Sequence, residues 1–221
     1  MTRHSPKVER GETLMGLLVG LSVGLVVLAA GSAMLANHLR AHRSALQDSH
    51  LHHDLRSAMD WMARELRKAQ YSAKAWQSRS PQLCSDAFCD GPEDFSIDVD
   101  KLQFSHDRNH DGQQDNNECM GFRVSGQALQ VKRSCSGTGD WQAITDKAHL
   151  MVTALRWQMV CEPLNGGWQR QVQMALTAHR PGDAANAVNL SHTVHLRNEV
   201  PPAALSPQPA APTPAKPSLC P

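Results

Sequence analysis

Apolar residues dominate the chain from Thr13 to Asn37, a stretch without a single charged side chain. At about 1.5 Å per residue, a helix of that length covers roughly 37 Å, enough to cross a hydrocarbon core of about 30 Å. The pattern then changes without a turn signal. Leu51, Leu55, Met59, Met62, Leu66 and Ala69 recur at spacings of three and four, the mark of a one-sided helix. Neither Pro nor Gly interrupts Ser32 to Tyr71. One long helix is expected, with residues 12–37 as its transmembrane half and 38–71 as its amphipathic half.

Beyond Tyr71 the apolar period shortens to two. Lys101–His106, Met120–Val124 and Ala128–Arg133 alternate as strands, and Trp141–Asp146 is a short strand entering a turn. Three longer strands follow. Leu150–Cys161 places Met151, Thr153, Leu155, Trp157, Met159 and Cys161 on one face. Trp168–Ala178 aligns Trp168, Val172, Met174, Leu176 and Ala178, and Val188–Arg197 aligns Val188, Leu190, Val194 and Leu196. Asn165-Gly166-Gly167 and Arg180-Pro181-Gly182-Asp183 read as the turns between them. Short connections imply an antiparallel meander, whose apolar face needs a cover that the Leu55–Leu66 stripe supplies. The expected fold class is α+β, a long N-terminal helix packed on an antiparallel β-sheet in residues 72–200. Pro201 to Pro221 holds eight prolines and reads as an extended tail.

Charge and cysteines narrow the setting. A formal net charge of +1 over 221 residues gives no electrostatic case for nucleic acid, and none is required as a partner. Arg3, Lys7 and Arg10 precede the apolar run and place the N-terminus in the cytoplasm. All six cysteines follow the run, so they face an oxidising compartment and are expected in disulfides. Spacing alone does not choose among the pairings. The working expectation is Cys84–Cys89 as a small staple, Cys119–Cys135 across a hairpin and Cys161–Cys220 from the remainder. The absence of a C-x-x-C pair weighs against zinc and thioredoxin-like sites.

Three readings compete for the N-terminus. A secretory signal has an apolar run of about 7–15 residues ending in a small-residue cleavage site; here the run is longer and no A-x-A site ends it. A plain membrane anchor fits the length. Neither explains a Gly set between the basic leader and the apolar helix. Gly11-Glu12-Thr13-Leu14-Met15-Gly16-Leu17-Leu18-Val19 resembles the class III signal of type IV prepilins and type II secretion pseudopilins. The resemblance implies that prepilin peptidase cuts between Gly11 and Glu12 and that the new amine on Glu12 is methylated. The helix would remain as a membrane anchor and later join a filament core. The sequence departs from that pattern twice: the first mature residue, usually Phe, is Glu12, and the fifth, usually Glu, is Gly16. Either Glu12 supplies the missing carboxylate, or the subunit sits at a tip with no subunit ahead of it. Gly16, Gly20 and Gly24 form a ladder suited to close helix–helix approach, although glycine is also common in membrane helices generally.

The helix end extends the resemblance. Asp54-Leu55-Arg56 leading to Ala63-Arg64-Glu65-Leu66-Arg67-Lys68-Ala69-Gln70-Tyr71 is similar to the end of the N-terminal helix in PilW-type minor pilins. Gly121-Phe122-Arg123 and the closing Thr193-Val194-His195-Leu196-Arg197-Asn198 resemble strands of the same family. His38, His42, His50, His52 and His53 scatter round the helix with no carboxylate constellation and read as solvated surface.

One stretch carries candidate chemistry. Asp107-Arg108-Asn109-His110-Asp111-Gly112-Gln113-Gln114-Asp115-Asn116-Asn117-Glu118 fits a twelve-residue calcium loop. Asp107, Asn109, Asp111 and Asp115 fall at the side-chain positions, Gly112 at the sharp turn, Gln113 at the carbonyl position and Glu118 at the bidentate one. Hard oxygen donors at that spacing suit Ca²⁺. The flanks read as strands, so this is no EF-hand, and the usual apolar eighth position is Gln114. The competing reading is a metal-free, Asx-rich hairpin loop.

No hydrolase, phosphate-loop or dinucleotide motif occurs, and an enzyme is not expected. The resemblance implies a minor pilin that primes a type IV pilus or joins its tip complex. Its partners would be other minor pilins, the major pilin, prepilin peptidase, the inner-membrane assembly platform and, before assembly, membrane lipid. Its expected place is a single pass of the inner membrane with a periplasmic C-terminal domain, then the pilus at the cell surface. A type II secretion pseudopilin of the J kind is the nearest alternative, and a calcium-dependent tip adhesin or DNA-uptake module the next.

Overall fold

The computed structural model describes residues 14–80, 83–89, 91, 93–136, 140–164 and 167–198, without the side chains of 80, 83–84, 163–164 and 167–168. Gly11, Glu12, Cys220 and the proline-rich tail lie outside the described residues. Two units divide the chain, residues 1–49 and 50–221.

In the first unit, α1 (Leu14–Leu66) exposes its apolar side chains all round, Leu14 at 77% and Leu28 at 71% among them. Oily surface on every face of a helix calls for lipid or neighbouring helices rather than water. This helix is long and apolar enough to cross a membrane. Its serines cause no difficulty there. Ser22 donates to the Leu18 carbonyl at 2.5 Å and Ser32 to the Ala29 carbonyl at 2.9 Å, so both hydroxyls are satisfied within the helix.

In the second unit α1 becomes one-sided as its spacing predicts. Leu51, Leu55, Met59, Met62 and Leu66 are all buried, and Ala69 is buried just beyond the helix. The α-helix ends at Leu66 and not at Tyr71. After it the amides of Lys68, Ala69 and Tyr71 bond back to the third residue before each, and Gln70 turns to φ 58° and donates its N–H to Ser105 instead. The chain is drawn off the helix by a strand of the sheet.

A short helix α2 (Ala75–Ser78) leads to the strands β1 (Arg79–Ser80), β2 (Leu83–Cys84), β3 (Phe95–Ile97), β4 (Lys101–Ser105), β5 (Cys119–Ser125), β6 (Ala128–Lys132), β7 (Gln142–Ala143), β8 (Met151–Leu164), β9 (Gly167–His179) and β10 (Val188–His195). All the pairings are antiparallel. The expected single meander is instead divided: β3-β4-β5-β6-β7 form one sheet, β10-β9-β8 a second, and β1-β2 a small ribbon. The Val152 amide donates to the Gln127 carbonyl at 2.9 Å and stitches the two larger sheets together. The result is α+β, with the amphipathic part of α1 sharing one core with both sheets.

The long strand β8 corrects one predicted face. A β-bulge between Val152 and Ala154 shifts the register, so Val152 and Leu155 are buried while Thr153 is exposed and donates to the Thr177 carbonyl. The side-chain alternation predicted from Met151 holds only from Leu155 onward. On β9 the expected residues Val172, Met174, Leu176 and Ala178 are buried as aligned. At the centre, Phe122 meets Trp61 of the helix edge-to-face at 5.3 Å and stacks with Trp157 of β8 at 6.4 Å.

Candidate functional site

The loop Asp107–Glu118 joins β4 to β5, and the segment that follows α1 holds its first residue. The Asp107 amide donates to the Tyr71 carbonyl at 2.8 Å, and Asp107 Oδ2 accepts from the Ala73 amide at 2.9 Å. The same Oδ2 accepts from the Gly112 amide at 3.1 Å, across the loop. Gly112 sits at φ 74°, in the left-handed region a sharp turn needs, and a Cβ there would meet the Lys74 side chain at 2.6 Å. Lys74 in turn donates its ammonium to the Asp111 carbonyl. Gly112 and the loop's acidic frame are thus fitted to the helix exit as well as to each other.

The carboxylates divide into two kinds. Asp107 and Glu118 are buried, each 1% exposed. Glu118 accepts from the amides of Arg108 at 2.6 Å, Asn109 at 3.2 Å and Asp115 at 3.0 Å, drawing the loop's ends together. Asp107 Oδ1, by contrast, is buried with no hydrogen-bond partner. Asp111 and Asp115 lie nearer the surface, and the Asn109 amide group stands between them, donating to one oxygen of each at 3.0 Å. Asn109 Oδ1 accepts from the Asp111 amide, and Asp111 Oδ1 from the Gln113 amide, in successive Asx turns. As they lie, no three carboxylate, imidazole or thiol groups among the described residues converge closely enough to hold an ion.

Gln114, the residue that breaks the usual apolar eighth position, has a different task. Its Nε2 donates to Asp94 Oδ1 at 2.7 Å. Asp94 is 1% exposed and also receives the Ser105 hydroxyl at 2.6 Å and the Gly91 amide at 2.8 Å. Asp94 lies outside the twelve-residue loop and anchors it to β4. No local spacing reveals this clasp, because Ser105 stands at the end of β4 and Asp94 just before β3.

Cys119 follows Glu118 directly and is bonded to Cys135, as expected for a bridge across a hairpin. Around that bond, the Cys135 amide donates to the Asn116 carbonyl at 2.8 Å and the Ser136 amide to Asn116 Oδ1 at 2.9 Å. The far side of the loop is therefore fixed to the end of β6. Cys89 and Cys161 are disulfide-bonded too. The Cys84 side chain and Cys220, expected as their partners, lie outside the described residues.

His106 precedes the loop and is buried, its ring tilted against Phe104 at 6.4 Å. Burial first, and then the positive charge of Lys68, hold its pKa below the ordinary 6.5. Residues from β9 and from beyond β10 close on the helix exit as well. Arg170, buried on β9, donates to Gln70 Oε1 at 2.8 Å and to the Asn198 carbonyl, and Asn198 Nδ2 donates to the Ala69 carbonyl at 2.8 Å. Asn198 thus serves the Ala69 carbonyl in the turn that follows α1.

The glycine ladder presents an open surface: a Cβ added at Gly20 or Gly24 meets nothing within 4 Å. Gly11 and Glu12, the expected cleavage pair, lie outside the described residues. No curated protein and no solved structure matches the chain. A family model described as PpdB, prepilin peptidase-dependent protein B, matches residues 44–196. That span begins in the amphipathic part of α1, takes in the loop and both large sheets, and ends just after β10. The chain belongs to the prepilin peptidase-dependent protein B family, a type IV pilus-related family of minor pilins.

Proposed function

We propose that the chain is a PilW-like minor pilin that primes pilus assembly or sits in the tip complex, acting through assembly rather than chemistry. Prepilin peptidase removes residues 1–11, the amine of Glu12 is methylated, and the apolar part of α1 holds the subunit in the inner membrane. The N-terminus faces the cytoplasm and the sheet domain the periplasm. The assembly platform then draws the helix out of lipid, and other minor pilins and the major pilin replace the lipid around it.

A single observation carries this reading: one continuous helix is apolar and exposed on all faces in its first part and buried on one face in its second. The first part suits a surrounding that can be exchanged, lipid for neighbouring helices; the second fixes the domain to the rod. Gly16, where a glutamate is usual, suits a subunit that pairs with no subunit ahead of it.

Surface filaments counted in a strain lacking the chain test the proposal. Few or no filaments are expected, with number restored by the wild-type chain and restored poorly by Gly16→Glu. Filaments of normal number and length without the chain would sink the priming role, and full restoration by Gly16→Glu would sink the account of position 16. Loss of secreted enzymes with normal pili would move the protein to type II secretion.

A further inference from the structure

We propose that Asp107–Glu118 is a calcium site, formed by side-chain oxygens of Asp107, Asn109, Asp111, Asp115 and Glu118 and the carbonyl of Gln113. The spacing of these residues supplies the first half of the argument: oxygen donors at positions one, three, five, seven, nine and twelve, with a left-handed glycine at six.

The second half is independent of spacing. Asp107 is 1% exposed, its carboxylate lies against the loop's own Gly112 amide, and its Oδ1 has no hydrogen-bond partner. A buried carboxylate oxygen without a partner is costly, since it has given up water and gained nothing. Folded chains keep such an atom where something else satisfies it. A hard cation is the partner whose chemistry matches, because the loop's other donors by spacing are also oxygens, most of them of carboxylates.

The rest of the loop is built to accept an ion with a small change. The Asn109 amide stands between Asp111 and Asp115, and each of those carboxylates takes one N–H from it at 3.0 Å. A cation entering there displaces the two N–H donors, and one rotation of the Asn109 amide turns its oxygen inward. Glu118 accepts two amides on Oε1 and one on Oε2, which leaves one lone-pair site on Oε2 for a ligand. The frame that must not move is already fixed: Tyr71 and Ala73 hold one end, and the Cys119–Cys135 bond holds the other. An ion in this loop would therefore tie the helix exit to the β4–β5 hairpin.

The test uses the full-length chain in detergent, stripped with chelator and titrated calorimetrically with CaCl2 and, separately, MgCl2. One Ca²⁺ per chain is expected, in the range of about 10⁻⁵ to 10⁻³ M, with weaker Mg²⁺ binding because Mg²⁺ demands shorter, near-ideal octahedral ligands and gives up its water reluctantly. Melting temperature should rise with Ca²⁺ as mass action requires. Asp111→Asn and Asp115→Asn touch exposed or half-buried side chains, so both should melt like wild type in chelator while binding Ca²⁺ at least about tenfold more weakly. No heat and no melting shift up to about 5 mM Ca²⁺, beyond the range of extracellular sites, would overturn the proposal. Undiminished binding by both variants would overturn it as well, by placing the ion elsewhere on the surface.

Discussion

The buried guanidinium of Arg170 donates to Oε1 of Gln70 across 2.8 Å, joining β9 to the residue at which the chain leaves the long helix. Gln70 sits at φ 58° with its amide given to Ser105, so its side chain and backbone both serve as fasteners. Arg170 also reaches the Asn198 carbonyl, and Asn198 returns a hydrogen bond to the Ala69 carbonyl. Replacing Arg170 by Met keeps the volume but leaves the buried Gln70 Oε1 without this donor. A loss of about 2–4 kcal/mol is expected in urea denaturation. Arg170→Lys should recover only part, since a point ammonium does not reproduce the planar fork.

Phe122 is the packing counterpart of that fastener. It is fully buried between Trp61 of the helix and Trp157 of β8. Phe122→Ala removes the contact shared by the helix and both sheets, and a destabilisation of about 3–5 kcal/mol is expected. Phe122→Leu should cost markedly less. Equal losses for the two variants would mean the ring geometry, not the filled volume, holds the layers together.

Cys119–Cys135 spans 16 residues of sequence and fixes the end of the loop to β6. Closing a loop of that size contributes about 3 kcal/mol by chain entropy. The double variant Cys119→Ser, Cys135→Ser should therefore lose about 2–4 kcal/mol, read from its denaturation midpoint. A protein that melts unchanged would place the restraint in the Asn116–Ser134–Ser136 hydrogen bonds instead.

His106 makes stability depend on pH. Burial and Lys68 lower its pKa in the folded protein, so between that lowered value and the ordinary 6.5 the unfolded chain binds a proton that the folded one does not. Stability contributed by neutral His106 is present above 6.5 and is lost as pH falls through this window. His106→Gln should remove that arm of the profile, seen by comparing both proteins' unfolding at about pH 7.5 and about pH 5.5. A parallel drop in both would assign the effect to other groups.

Periodicity made most of the architecture readable. The helical stripe from Leu51 to Ala69 and the alternation of β4, β9 and β10 are local signals, and the structure keeps them, while β5 and β6 form where expected but are buried at successive residues. What sequence did not disclose depends on contacts between distant residues. The helix stops at Leu66 because Ser105 captures the Gln70 amide, and no local residue announces that. The face of β8 changes at Thr153 because of a bulge, which a period-two count cannot anticipate. The division into two sheets follows strand length in retrospect, since the three longer strands form the second sheet, but length alone does not say that the meander breaks before β8. At the loop, ligand-type residues were visible from spacing, while the Gln114–Asp94 clasp and the orphaned Asp107 oxygen became visible only with the fold.

A helix released from its leader at one bond and kept in the membrane underlies the proposed role. Intact-mass and N-terminal peptide spectrometry of the protein purified from membranes addresses that directly. The predicted result is a chain beginning at Glu12, with its amine methylated and the residues after Gly11 intact. A chain still carrying Met1–Gly11 in cells with active prepilin peptidase, or one beginning beyond the apolar run, would contradict it.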